Sequence, residues 1–122
     1  MQKILFLDVD GVLNTYNDEN GISWRPERDE FLDWAMERFE CRFLTAWFAS
    51  IHKELPKKWH FPVEDWGDNK AEALWRLPQD RTWVFLDDDH WDLSNVRAQG
   101  EFILIDGWKA GELHRVMRTL KP

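Results

Sequence analysis

Residues Ile4-Leu5-Phe6-Leu7 form an unbroken apolar run that stops abruptly at Asp8-Val9-Asp10-Gly11. A run this short, with no polar alternation, suits a strand buried on both faces of a parallel sheet. The two aspartates then sit at its carboxyl end, where open α/β sheets place their ligands. Alternate residues of an extended chain point the same way, so both carboxylates can face one site. Gly11 lets the chain turn at once. Two like charges held this close repel unless a cation or a shared proton relieves them, so the pattern asks for a metal ion.

Strand and helix signals alternate along the rest of the chain. Thr15 to Arg25 is polar and glycine-containing and reads as a loop or small flap. Pro26 suits the first position of a helix whose acidic start (Glu27, Asp29, Glu30) complements the dipole. Phe31, Leu32, Ala35, Met36 and Phe39 then recur at helical spacing as its core face. Cys41 to Ala46 reads as a second strand, and Trp47 to Leu55 as a short helix stopped by Pro56. After an irregular stretch, Asp68 is the expected N-cap of a helix running through Ala71, Ala73, Leu74 and Leu77 to Pro78. Thr82 to Leu86 is a third strand, followed by Asp87-Asp88-Asp89. A short helix is expected around Leu93 to Gln99, a last strand over Phe102 to Ile105, and a final helix with Leu113, Val116, Met117 and Leu120 on one face. This alternation predicts an α/β fold, a mainly parallel sheet with helices on both faces.

Composition sets outer limits. At 122 residues the chain is expected to be a single domain spanning 1–122. A net charge of −7 argues against non-specific binding to nucleic acids or membranes, which draws on clustered Lys and Arg. Cys41 is the only cysteine, which rules out an intrachain disulfide and fits a reducing, cytoplasmic compartment. No stretch approaches transmembrane length, and Asp8 and Asp10 interrupt the one apolar run that might read as a leader. His52, His60, His90 and His114 share no metal-ligand spacing. Cys41, Trp75 and Trp83 read as core. Trp24, Trp47 and Trp66 fall in or beside loops near the strand ends, where a ring can stack on a substrate, although packing is the plainer reading.

Four chemistry-bearing elements follow one another in order. They are Asp8-Val9-Asp10, Thr45 at the second strand end, Lys70 at a helix start, and Asp87-Asp88 after the third strand. This succession resembles the haloacid dehalogenase superfamily, and more narrowly its short bacterial and phage proteins that read DVDGVLN. The resemblance spans Ile4 to about Leu113. It implies a Rossmann-like, doubly wound, three-layer α/β/α sandwich with no sizeable cap domain, because 14–25 and 46–69 are too short for one. It also implies a Mg2+-dependent phosphatase. Asp8 would be the nucleophile that forms an aspartyl-phosphate, and Asp10 the general acid and base. Asp8, the Asp10 carbonyl and Asp88 would hold magnesium, with Asp87 supporting them from behind. Thr45 and the Ala46 N–H would bind phosphoryl oxygens, and Lys70 would offset their charge.

Each residue alone has a plainer explanation: a solvated strand end for Asp8 and Asp10, a β-branched strand residue for Thr45, a surface lysine for Lys70. Order and context favour the site. A two-component receiver domain or a toprim domain would place its acidic residues differently along the chain. The alternative of another class is a relative that binds magnesium and a phosphoryl group without turnover. An uncapped site suits a large or exposed phosphorylated substrate such as a nucleic-acid end, a nucleotide or a phosphoprotein, and leaves room for an oligomer or partner to cover it.

Overall fold

The computed structural model describes residues 1–19 and 21–122. Asn20, within the segment read as a flap, lies outside the described residues. The elements are β1 (Ile4–Leu7), β2 (Asn14–Asn17), β3 (Gly21–Trp24), α1 (Arg28–Arg38), β4 (Glu40–Phe43), α2 (Ala71–Trp75), β5 (Trp83–Asp87), β6 (Gly100–Leu104) and α3 (Glu112–Thr119). Among the described residues, four strands form a parallel sheet in the order β4-β1-β5-β6. Leu7 of β1 lies level with Phe43 on one side and Leu86 on the other. The apolar run of β1 is buried throughout because it has a strand on each edge and packed residues on each face.

Side-chain alternation divides the core in two. Leu5, Leu7, Val84 and Leu86 join Phe31, Leu32 and Ala35 of α1 and Leu113 and Val116 of α3. Ile4, Phe6 and Phe85 point to the other face and join Ala73 and Leu74 of α2, with Leu44 and Ala98. This is the two-residue period of a strand read on both faces. Each fully buried Leu, Ile or Phe contributes roughly 1.5–3 kcal/mol of transfer free energy.

Several local expectations need correction. No helix forms over Leu93–Gln99; the segment runs in turns, and its apolar residues pack as isolated anchors against Trp83 and Phe85. The segment after Trp47 is a 3-10 helix, Phe48–Glu54, and a second 3-10 turn spans Lys57–Trp59. The helix expected from Asp68 shrinks to five residues, and Asn69 rather than Asp68 supplies the oxygen that accepts the Ala71 N–H. Strand β4 ends at Phe43, so Thr45 and Ala46 lie beyond it. Met36, read as part of the core face of its helix, and Trp75, read as core, are 40% exposed each. The flap is a β-hairpin, β2 against β3. Periodicity marks which residues are apolar, while packing depth decides which of them find a surface to cover.

Topology positions the site. From β1 the chain crosses to β4 on one side, then returns past β1 to β5 on the other and continues to β6. The direction of growth therefore reverses between β1 and β5, and ligands bind at the carboxyl end of such a crevice. Asp8 follows β1, and Asp87 and Asp88 close β5.

Candidate functional site

The ladder continues one step past β1: Asp8 N–H donates to Leu86 O at 3.1 Å and Leu44 N–H to Leu7 O at 2.8 Å. These bonds fix Asp8 between the two neighbouring strands. One Asp8 carboxylate oxygen accepts from Val9 N–H at 2.7 Å, and the other lies 3.1 Å from Lys70 Nζ. Lys70 also donates to Asp87 Oδ2 at 2.8 Å. Its ammonium is 5.7 Å from the ring centre of Trp66 and 5.6 Å from that of Trp91, so two carboxylates and two indole faces surround a buried cation. Lysine at this place is set by α2, whose first turn begins at the next residue.

Asp8, Asp87 and Asp88 offer carboxylate oxygens that all lie within 4.8 Å of one another. Three carboxylates against one ammonium leave an excess of negative charge. Burial pushes the Asp8 carboxyl above its ordinary value, against the pull of Lys70. Asp87 is pushed up to about 6, first by burial and then by the charge of Asp8. Asp88 also rises to about 6, through burial and its neighbour Asp87, while a bond from Tyr16 opposes the shift. Hard carboxylate donors with unneutralised charge fit a cation such as Mg2+, which accepts oxygen ligands and retains waters. Asp87, expected to support the cluster from behind, thus offers an oxygen to it directly, beside Asp88.

Asp10 stands outside that carboxylate group, held by its own donors. Its Oδ1 accepts from Asn14 Nδ2 and from Trp47 Nε1, each at 3.0 Å. Asn14 also accepts the Gly11 N–H at 2.7 Å, so one side chain fixes both the turn and the carboxylate. Thr45 is fully buried, and its hydroxyl oxygen accepts the Trp47 N–H at 3.2 Å, which leaves the hydroxyl hydrogen for another acceptor. Ala46 is exposed beside it. Gly11 has a φ of +81°, and any Cβ there would collide with the Asp88 carboxylate. Its lack of a side chain is what lets Asp88 approach the β1 turn.

Four further side chains take part, and of these only Trp66 is singled out by its place in the sequence. Tyr16 of the hairpin donates its hydroxyl to Asp88 Oδ2 at 2.9 Å, and its ring is admitted by Gly107, where a Cβ would lie 2.7 Å away. Trp91 Nε1 donates to Asp87 Oδ2 at 3.0 Å. Trp66 Nε1 donates to Thr45 O at 3.3 Å. Arg25, 2% exposed, donates to four backbone carbonyls: Val12 at 2.7 Å, Gly11 at 3.0 Å, Lys109 at 2.7 Å and Asp106 at 3.1 Å. It ties the turn after β1 to the loop after β6. Asn14 stands within DVDGVLN beside the paired aspartates, and Trp91 lies four residues from Asp87; the partners of Tyr16 and Arg25 are distant in sequence and leave no such cue.

No protein-family model and no curated protein matches this chain. Among solved structures it is similar to a hypothetical protein from Xanthomonas campestris, with 19% identity and a TM-score of 0.55, over 95% of this chain and 79% of the other. That likeness concerns the fold alone: a mixed α/β chain with a four-stranded parallel sheet. Among the described residues, no helix is long and apolar enough to cross a membrane.

Proposed function

We propose that this chain is a Mg2+-dependent phosphomonoester hydrolase of the haloacid dehalogenase type, built on a Rossmann-like, doubly wound, three-layer α/β/α sandwich. The observation that carries the reading is the buried Lys70 ammonium bridging Asp8 and Asp87 beside Asp88, at the crevice where the strand order reverses. A lysine serving only the fold has little reason to hold two buried carboxylates beside a third at an open strand end.

Asp8, Asp87 and Asp88 are the side chains that would hold magnesium, with the Asp10 carbonyl as a fourth oxygen. The cation supplies charge neutralisation for an incoming phosphate dianion. An Asp8 carboxylate oxygen attacks phosphorus, and the bond from phosphorus to the alcohol oxygen breaks. Asp10, oriented by Asn14 and Trp47, gives its proton to that departing oxygen. A water then attacks the aspartyl-phosphate and passes its proton to Asp10, and the Asp8–phosphorus bond breaks to release inorganic phosphate. Thr45 Oγ–H, the Ala46 N–H and the Lys70 ammonium meet the charge gathered on the phosphoryl oxygens.

Release of phosphate from a generic aryl phosphate, with and without Mg2+, tests this. Turnover should require the metal, and Asp8→Asn, which keeps the shape and removes the attacking charge, should lower kcat by about 10^4-fold or more. A folded protein that binds a phosphate mimic with Mg2+ but releases none would instead be a binding module.

A further inference from the structure

Phe48 stands out beside this site. It is the one non-glycine residue among those described with positive φ, at +49°, a conformation that bulky side chains rarely adopt. Its backbone is held there by Phe48 N–H donating to Thr45 O at 3.2 Å, within the loop that would receive the phosphoryl group. The result is an apolar ring 41% exposed to solvent and stacked on Trp66 at 5.6 Å with 20° between planes. Trp66 in turn is anchored to Thr45 and lies against the Lys70 ammonium. The indoles nearby are tied to the protein: Trp47 to Asp10, Trp66 to Thr45, Trp91 to Asp87. Phe48 has no polar handle, and strained backbone of this kind concentrates at ligand-binding positions.

We propose that Phe48 and Trp66 form a stacking platform for the base of a nucleoside monophosphate whose phosphate is held at Lys70 and Thr45. The proposal rests on the phosphoryl-binding reading of the site and names its substrate class. The Trp66 ring centre lies 5.6 Å from that of Phe48 and 5.7 Å from the Lys70 ammonium, so the aromatic pair and the cation share one indole, within the reach of a base carried on a ribose. Charge selects a mononucleotide over a polymer, since the chain carries −7 overall. A second aromatic pair, half-buried Tyr16 with exposed Trp108, stands beside Asp88, but Asp106 lines the hollow next to it and would repel a nucleotide.

Titration calorimetry on the Asp8→Asn protein with Mg2+ tests the platform without turnover, comparing 5′-AMP with ribose 5-phosphate, which has the same phosphate and sugar but no base. AMP should bind about tenfold more tightly, the scale of one base–aromatic stack. Phe48→Gly, which suits the positive φ and so should fold, is expected to erase that preference; Phe48→Tyr should retain it, and Trp108→Ala should leave it in place. Equal binding of AMP and ribose 5-phosphate overturns the platform while preserving phosphoryl binding. So does a preference that survives Phe48→Gly or vanishes with Trp108→Ala. Phenyl phosphate binding as tightly as AMP, or a 5′-phosphorylated oligonucleotide binding more tightly, overturns the mononucleotide assignment. Binding of neither AMP nor ribose 5-phosphate refutes the phosphoryl site itself and the platform with it.

Discussion

The two ends of the sheet differ in kind. The amino end borders a hollow of about 860 Å3, lined by Lys3, Trp83, Val96, Arg97, Gly100 and Phe102 among others. The carboxyl end has a hollow of about 380 Å3 beside Tyr16 and Asp88, and it gathers Asp8, Asp87, Asp88 and Lys70 into one contact group. Volume at the amino end follows from the irregular 91–99 segment, which covers Trp83 and Phe85 with isolated side chains instead of a helix. Chemistry at the carboxyl end follows from polar groups that burial would penalise unless each found a partner or a ligand. The contrast teaches that convergent charge and open room fall at opposite ends of this sheet.

Lys70→Met should separate the ends most sharply. Removing the ammonium leaves Asp8 and Asp87 facing each other in a buried site, at a cost of about 3 kcal/mol near pH 7. The loss should shrink as pH falls and the carboxylates protonate, which urea unfolding at pH 5 and pH 7 would read. A protein as stable as wild type at pH 7 would mean that the lysine is dispensable to the cluster.

Glycine substitutions compare the ends directly. A Cβ at Gly100 would collide with the Trp83 ring, and one at Gly11 with the Asp88 carboxylate at positive φ. Each to alanine should cost about 1–3 kcal/mol. Gly100→Ala should keep the rise in melting temperature on adding Mg2+, whereas Gly11→Ala should lose most of it. Equal magnesium responses would dissolve the distinction between the ends.

The third prediction concerns protons. Asp87 and Asp88, held at about 6 against an ordinary 3.8, bind more protons in the folded chain than in the unfolded one between those values. Their contribution to stability is therefore lost as pH rises through 6. Metal-free protein should show that fall in melts between about pH 4 and pH 6.5. Magnesium at a hundredfold excess over its Kd should add about 2.7 kcal/mol at pH 7. Asp88→Asn keeps an oxygen for the Tyr16 hydroxyl but should flatten the pH dependence and shrink the magnesium shift; an unchanged shift would take Asp88 out of the metal site.

Tyr16→Phe should have the smallest effect. It removes one donor from Asp88, an expected change of less than about 1.5 kcal/mol in stability, with a slightly altered magnesium shift. A large loss of fold would show that the hairpin holds the site together rather than merely touching it.

The sequence by itself determined the apolar strand, the paired aspartates beyond it, and the strand–helix alternation that gives a parallel sheet. Those are local matters: a period of two, a run of apolar residues, or a glycine after a carboxylate is written in adjacent positions. The same reasoning placed Thr45, Lys70 and Asp87-Asp88 beside strand or helix ends, and the β4-β1-β5-β6 order draws Asp8, Lys70, Asp87 and Asp88 together. Tertiary structure alone decided that Leu93–Gln99 would not coil, because its apolar residues gain more by anchoring on Trp83 and Phe85 than from a helix of their own. It alone joined Tyr16 to Asp88 across 72 positions and Arg25 to the carbonyl of Lys109 across 84. Such bonds leave no mark in the sequence, since a buried donor is satisfied by any acceptor that the fold brings within reach.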